Sequence, residues 1–401
     1  MYSRSHAPRG NENRGPHPLN PTLPLAGIRV LDLTRVLAGP YCTMILADLG
    51  AEVAKIERPG SGDDSRHFGP FLPTGMSAYF ASVNRGKKSV ALDLHDASDV
   101  EMLRRMATRA DVFVENFRPG TLDAFGLSSE TLRKENPALI YASLSGFGRM
   151  GDAAGRPAYD IIVQAMSGLM SITGEGAGRP VRVGTSISDI LTGLFAAIGI
   201  LAALHRRGKT QTGADLDLAM LDATVAALEN AVSRFEVTGT VPQPLGTRHP
   251  SIAPFQAFAT ADVPIVVAAG NEALWNKLCD VLDRPKLAAD PLLIDNAARA
   301  QNLDYLERML TERFRTQPAA HWLVRLAAAG IPSAPIRSIA DVVHDPQLAA
   351  RGMLHRMHCG KEGGFLSTGS PLRMDGAPLP LSDRAPQLGE HTQQVLQEWF
   401  S

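Results

Sequence analysis

The sequence predicts an α/β fold, with a Rossmann-like, doubly wound parallel sheet in a large domain and a smaller α+β domain beside it. Two observations predict this. From Gly27 onward, strand-length apolar runs alternate with helix-length stretches, which is the pattern of βαβ units and a parallel sheet. After Thr210 the alternation gives way to helices, a turn-rich stretch and an isolated strand. The 401 residues, 44% hydrophobic and 20% charged, suffice for two domains with real cores. A net charge of -1 implies no nucleic-acid partner.

The elements follow in order. The first 21 residues are rich in Pro, Asn, Arg and Gly and nearly free of large apolar side chains, so they read as a disordered leader. Residues 28–33 form a strand, Gly39-Pro40 opens a helix through Leu49, Gly50 stops it, and residues 51–56 form the next strand. Further strands are predicted at 89–93, 111–114 and 139–144, with a helix at 97–110. The apolar run 190–204 is too short and interrupted to span a bilayer comfortably and reads as a buried helix, so no membrane is expected. A helix at about 215–232, a strand at 264–269 and helices at about 272–283 and 303–315 complete the pattern. The domain boundaries are then 1–21 leader, 22–210 large domain, 211–235 linker helix, 236–325 small domain and 326–401 a Pro- and Gly-rich return to the large domain.

Cys42, Cys279 and Cys359 are odd in number and scattered, which excludes a disulfide framework and a paired CxxC site and suits a reducing cytoplasm. His355, His358 and Cys359 read as a surface turn, so no metal is expected.

Five groups could carry chemistry. Asp189 borders the apolar run, where an isolated buried carboxylate would be very costly. It is either a helix cap or a nucleophile kept ionised by the helix dipole. The turn after the first strand contains only Gly39 of a GxGxxG fingerprint, so a dinucleotide cradle is missing. Arg58, after the second strand, is a phosphate contact or a solvated cation. Asn116, Phe117 and Arg118 follow another strand and could meet an amide, an adenine face and a phosphate, or only form a turn fixed by Pro119 and Gly120. Lys87 and Lys88 are a basic pair for a polyanion or solvated lysines, and Asp160, after Tyr159, is a natural helix cap.

These residues, with Leu25–Asp32, Asp48–Val53, Lys55–Gly60, Val83–Ser89 and Val114–Gly120 around them, resemble the class III CoA-transferases of the CaiB/BaiF type, the family of formyl-CoA transferase and carnitine CoA-transferase. The resemblance runs over nearly the whole chain after Pro24. It implies that Asp189 is the nucleophile and that Arg58 meets CoA phosphates, with Asn116 and Phe117 near the adenine. It further implies CoA contacts at Val36, Leu92, Arg118, Lys87 and Lys88 and a substrate contact at Tyr159. A CoA thioester is then a substrate, no cofactor is bound permanently, and the chain forms an interlocked homodimer.

The related α-methylacyl-CoA racemases, the alternative activity, carry Gly-His-Asp where this chain has Ala158-Tyr159-Asp160; without the His, two-base racemisation is unsupported. Leu37 replaces a glutamine of formyl-CoA transferase and a glycine-rich lid is missing, which argues against formyl-CoA and oxalate. The stretch from Gly246 to Phe258 instead resembles the branch using succinyl-CoA with glutarate, hydroxymethylglutarate, itaconate or malate. There Arg248, with His249, is expected to pair with the distal carboxylate of the acceptor.

Overall fold

The computed structural model describes residues 23–176, 179–358 and 363–401; the leader and Cys359 lie outside these described residues. The chain divides into two compact units. The first comprises the chain up to Ala158, Ser188–Ala223 and Gly352–Ser401, and the second Tyr159–Ile187 and Thr224–Arg351.

The first unit is built on six strands: β1 (Arg29–Asp32), β2 (Glu52–Glu57), β3 (Lys88–Ala91), β4 (Val112–Glu115), β5 (Ile140–Ser145) and β6 (Ala214–Ala219). Their order is β3-β2-β1-β4-β5-β6 and every neighbouring pair is parallel. The helices of this unit that bear on the site are α1 (Ala38–Asp48), α2 (Ala78–Val83), α3 (Ala97–Ala107), α4 (Ser129–Glu135) and α6 (Ile187–Thr210), while α5 (Asp160–Met166) belongs to the second unit. On one face of the sheet Val30, Val53, Val112 and Ile140 pack with Leu46 of α1 and Ala196 and Ile200 of α6. On the other, Leu31, Phe113 and Tyr141 pack with Leu103 and Met106 of α3 and with Trp399 of the C-terminal helix Thr392–Phe400. Strands covered on both faces read as continuous apolar runs, which is why five of the six are plain in the sequence. Each fully buried Val, Leu or Phe among them contributes roughly 1.5–3 kcal/mol by removal from water.

β6 corrects the sequence reading. Residues 214–219 read as the start of a helix, yet Ala-Asp-Leu-Asp-Leu-Ala has the two-residue alternation of a strand and pairs with β5 from Ile140↔Ala214 to Ser145↔Ala219. Helices follow only at Met220–Ala226 and Ala231–Thr238.

The second unit holds an antiparallel sheet of Phe255–Phe258, Ile265–Ala268 and Ser333–Pro335. Its core gathers Phe258, Trp275, Leu310, Phe314 and Trp322. Arg299 is fully buried there, paired with Glu272 and donating to the carbonyls of Ala253 and Leu293. Because Ser333–Pro335 completes this sheet, the chain returns to the first unit at Gly352, where the sequence reading set 326.

Candidate active site

In the first unit the sheet's winding reverses between β1 and β4, and ligands of such folds bind beyond the carboxyl ends of strands at that point. A cleft of about 290 Å³ lies there. Thr34 and Arg35 line it after β1, Arg58 after β2, Leu92, Asp93 and His95 after β3, and Phe117 after β4. Of the residues the sequence singled out, the structure therefore brings together Arg58, Leu92 and Phe117. Arg58 is exposed on the wall and Leu92 buried beneath it. The Arg35 guanidinium lies over the Phe117 ring, 5.2 Å from its centroid.

Asn116 serves the cleft by holding backbone. Its Oδ1 accepts the Arg35 N–H at 2.9 Å and its Nδ2 donates to the Arg35 carbonyl at 2.8 Å. Arg118 faces away into a separate recess of about 370 Å³, together with Glu115, Tyr141, Arg149 and Asp215. Glu115, at the end of β4, is buried and accepts the Phe117 N–H at 2.8 Å. Burial pushes its carboxyl up to about 7, against the opposing Ser143 and Phe117 hydrogen bonds.

The two lysines part company. Lys88 pairs with Glu52 and Glu398 and does not line the cleft. Lys87 is buried, and its ammonium donates to Asp32 Oδ2 at 3.0 Å, the Pro40 carbonyl at 3.0 Å and Asn84 Oδ1 at 2.8 Å. Three donors on three internal acceptors leave it no proton for a phosphate. Asp32 also accepts from Thr34 and Thr43. Burial alone would raise the Asp32 carboxyl, but Lys87, Lys55 and the two hydroxyls hold it well below the usual carboxylate range. Lys55 in turn pairs with Asp63 at 2.9 Å, both side chains being fully buried. Sequence reasoning missed this cluster, although a lysine amid the apolar residues of β2 was its signal.

Asp189 stands in the first turn of α6, half-buried, with Ser188 buried beside it. The helix begins at Ile187, so Asp189 lies inside it and is not the cap considered from sequence. Four residues on, a Cβ built at Gly193 would meet the Ala38 carbonyl oxygen at 2.6 Å, so α6 crosses directly over the start of α1. Residues i and i+4 share a helix face, which sets Asp189 one turn from that crossing. Val36, in the loop leading to α1, has φ 69°, a left-handed value that is unusual for a β-branched residue, and its N–H donates to Asp63 Oδ1.

In the second unit, Tyr159 is 75% exposed and precedes α5 as its N-terminal flanking residue. Asp160 is inside the helix, accepting from Gln164 at 2.7 Å and pairing with Arg182 at 3.5 Å. Arg248 is held by Glu307 and Asp304. The Nδ1 of His249 accepts the Ser251 N–H, and its ring packs on Phe255. Among the described residues no group of His, Cys, Asp and Glu is placed to hold a metal.

Residues 25–392 match the model of CoA-transferase family III. The chain belongs to this family. As a class III CoA-transferase it is an enzyme whose substrates are CoA thioesters. It is 46% identical to the acetyl-CoA:oxalate CoA-transferase of Acetobacter aceti, over 93% of this chain and 95% of that protein. It is 41% identical to the succinyl-CoA:glutarate CoA-transferase of Mus musculus, over 94% and 86%. The crystal structure of a CaiB/BaiF family protein from Brucella suis superposes with a TM-score of 0.83 at 38% identity, covering 94% of this chain and 99% of that one. The first of these relatives bears on the sequence argument against oxalate, since its name carries oxalate as acceptor.

Proposed function

We propose that this class III CoA-transferase moves CoA from succinyl-CoA, or a similar acyl-CoA, to a dicarboxylate acceptor, with Asp189 as nucleophile. The observation that carries the proposal is the carboxylate in the first turn of a long apolar helix, one turn from where that helix meets Ala38 at the start of α1, four residues after Thr34 of the cleft wall. An Asp189 oxygen attacks the donor thioester carbonyl; CoA thiolate leaves and an acyl-aspartyl anhydride remains. The thiolate attacks the aspartyl carbonyl, expelling the donor acid and leaving an aspartyl-CoA thioester. The acceptor carboxylate attacks that thioester to give a second anhydride, and returning thiolate attacks the acceptor carbonyl to release the new CoA ester and Asp189. Splitting one displacement into steps of similar energy is the gain of covalent catalysis, and the positive end of the α6 dipole favours the ionised nucleophile.

Names of relatives support dicarboxylates as the acceptor class, and oxalate stands beside glutarate, hydroxymethylglutarate, itaconate and malate in the panel to be tried. Arg248 would have to leave Glu307 and Asp304 to bind an acceptor, so the proposal does not use it. Incubation with succinyl-CoA or acetyl-CoA and each acid, with product esters weighed by mass spectrometry, tests the substrate class. Borohydride or hydroxylamine trapping followed by peptide mapping tests the nucleophile. The label is expected on Asp189, and Asp189→Asn is expected to lower transfer by about 10³-fold or more. A label on another carboxylate refutes the assignment, and exchange of the α-proton without an acceptor acid would favour the racemase alternative.

A further inference from the structure

The segment from Thr34 to Pro40, buried at Thr34 and at Ala38–Pro40 and exposed at Arg35, is tied down by buried charged side chains. Asp32 accepts the Thr34 N–H and hydroxyl, and Lys55 donates to the Thr34 carbonyl at 2.8 Å. Asp63 accepts the Val36 N–H at 3.1 Å. Thr43, which also donates to Asp32 at 2.6 Å, reaches the Gly39 carbonyl at 3.2 Å, and Lys87 takes the Pro40 carbonyl. The loop also closes on itself, since a Cβ at Gly39 would meet Thr34 Cβ at 2.2 Å. Asp32, Lys55, Asp63 and Lys87 are all buried, and as two acids and two bases they balance.

Buried ion pairs are weak stabilisers, because desolvation offsets most of their attraction. Something other than stability is the better reason for two such pairs, four buried charges, beneath one segment. The left-handed Val36 marks the same place: such a conformation is worth about 1–3 kcal/mol of strain and persists only where the surroundings over-determine it. What the loop does is join two parts of the site. Thr34 and Arg35 line the cleft, while Ala38 lies against Gly193, one turn from Asp189.

We propose that Asp32, Lys87, Lys55 and Asp63 are positioning residues that lock the segment Thr34–Pro40, the loop after β1 and the first residues of α1, fixing the distance between a thioester held in the cleft and Asp189. This rests on the reading of Asp189 as nucleophile. None of the four touches the reacting atoms; they act through the loop backbone. Because a displacement of about 1 Å can lower a rate by about 10²-fold, loosening the loop is expected to slow acylation far more than it weakens thioester binding, whose walls at Arg58, Leu92 and Phe117 remain.

The test is the double variant Asp32→Asn/Lys87→Met, which removes both charges together and leaves neither buried alone. Active sites are counted by borohydride trapping, and acylation is timed by rapid quench with succinyl-CoA. The expected result is a 10- to 100-fold slower acylation per counted site (roughly the range set by such a displacement), with the KM for succinyl-CoA changed less than about threefold. A wild-type rate per counted site, with only the fraction of folded enzyme reduced, overturns the proposal, since that is what a purely structural cluster would give. If the double variant does not fold, Thr43→Val decides. It deletes one hydroxyl from Asp32 while keeping every charge; slowed acylation supports the proposal and a wild-type rate overturns it. Trapping on a residue other than Asp189 in the unaltered enzyme refutes the nucleophile itself, an outcome separate from either variant's result.

Discussion

Glu115 shows how one residue's surroundings set its chemistry. It ends β4, supports the Phe117 amide with a hydrogen bond, and is pushed up to about 7 by burial. A carboxyl whose folded value lies above its unfolded one binds its proton more tightly in the native state. Its contribution is therefore fully present below the unfolded value and lost as pH rises through about 7. Glu115→Gln keeps an oxygen for the Phe117 amide and removes the titration. Urea unfolding across pH 4–8 is expected to show the variant gaining on the native protein between about 4.5 and 7, reaching about 1–3 kcal/mol at pH 8. Parallel curves would mean that Glu115 is not held neutral by its burial. At this scale, residue type was legible in the sequence and side-chain direction was not. Lys87 and Lys88 read alike as a basic pair, yet neighbours along an extended chain point to opposite sides. Lys88 turns to Glu52 and Glu398, and Lys87 turns inward to Asp32.

Among the elements, α6 and α1 matter most because their crossing lies one turn from Asp189, the proposed nucleophile. Gly193 permits it. Ala at this position would gain about 1 kcal/mol of helix propensity, but its Cβ would sit 2.6 Å from the Ala38 carbonyl oxygen, a backbone atom that cannot rotate away. Forced overpacking costs about 1–3 kcal/mol and is expected to prevail. Gly193→Ala should lower the urea midpoint and slow acylation, since the helix must move off α1. Gly199→Ala is the control, because its nearest contact is the Leu216 side chain at an ordinary 3.5 Å. Equal behaviour of the two variants would show that the crossing tolerates a methyl group. The strands of the parallel sheet were legible because both their faces are covered, leaving unbroken apolar runs. β6 was not, because Asp215 and Asp217 interrupt it, and what excuses them is a residue far away in sequence: Arg149 pairs with both.

For the molecule as a whole, the chain's excursions between units were the least legible feature. Tyr159–Ile187 leaves the first unit and the chain re-enters it at Ser188 with no change of composition to mark either point. α6 poses a related question. Its 24 residues make it, among the described residues, the helix long and apolar enough by composition to cross a membrane, and the sequence reading of a buried helix describes only one side of it. Gly193, Ala196, Ala197 and Ile200 are buried in the first unit, while Leu194, Phe195 and Ile198 stay exposed, Ile198 by 59%. Apolar area left in water forgoes about 25 cal/mol per Å². The homodimer proposed for this family member would recover it by covering that face. Ile198→Glu puts a charge there without touching the interior of the unit, so helix content by circular dichroism should be unchanged. Light scattering and sedimentation should show the two-chain species lost or weakened by about 10²-fold, the equivalent of roughly 3 kcal/mol. If Ile198→Glu keeps a two-chain mass down to nanomolar concentration, α6 is not the interface and its exposed side needs another occupant.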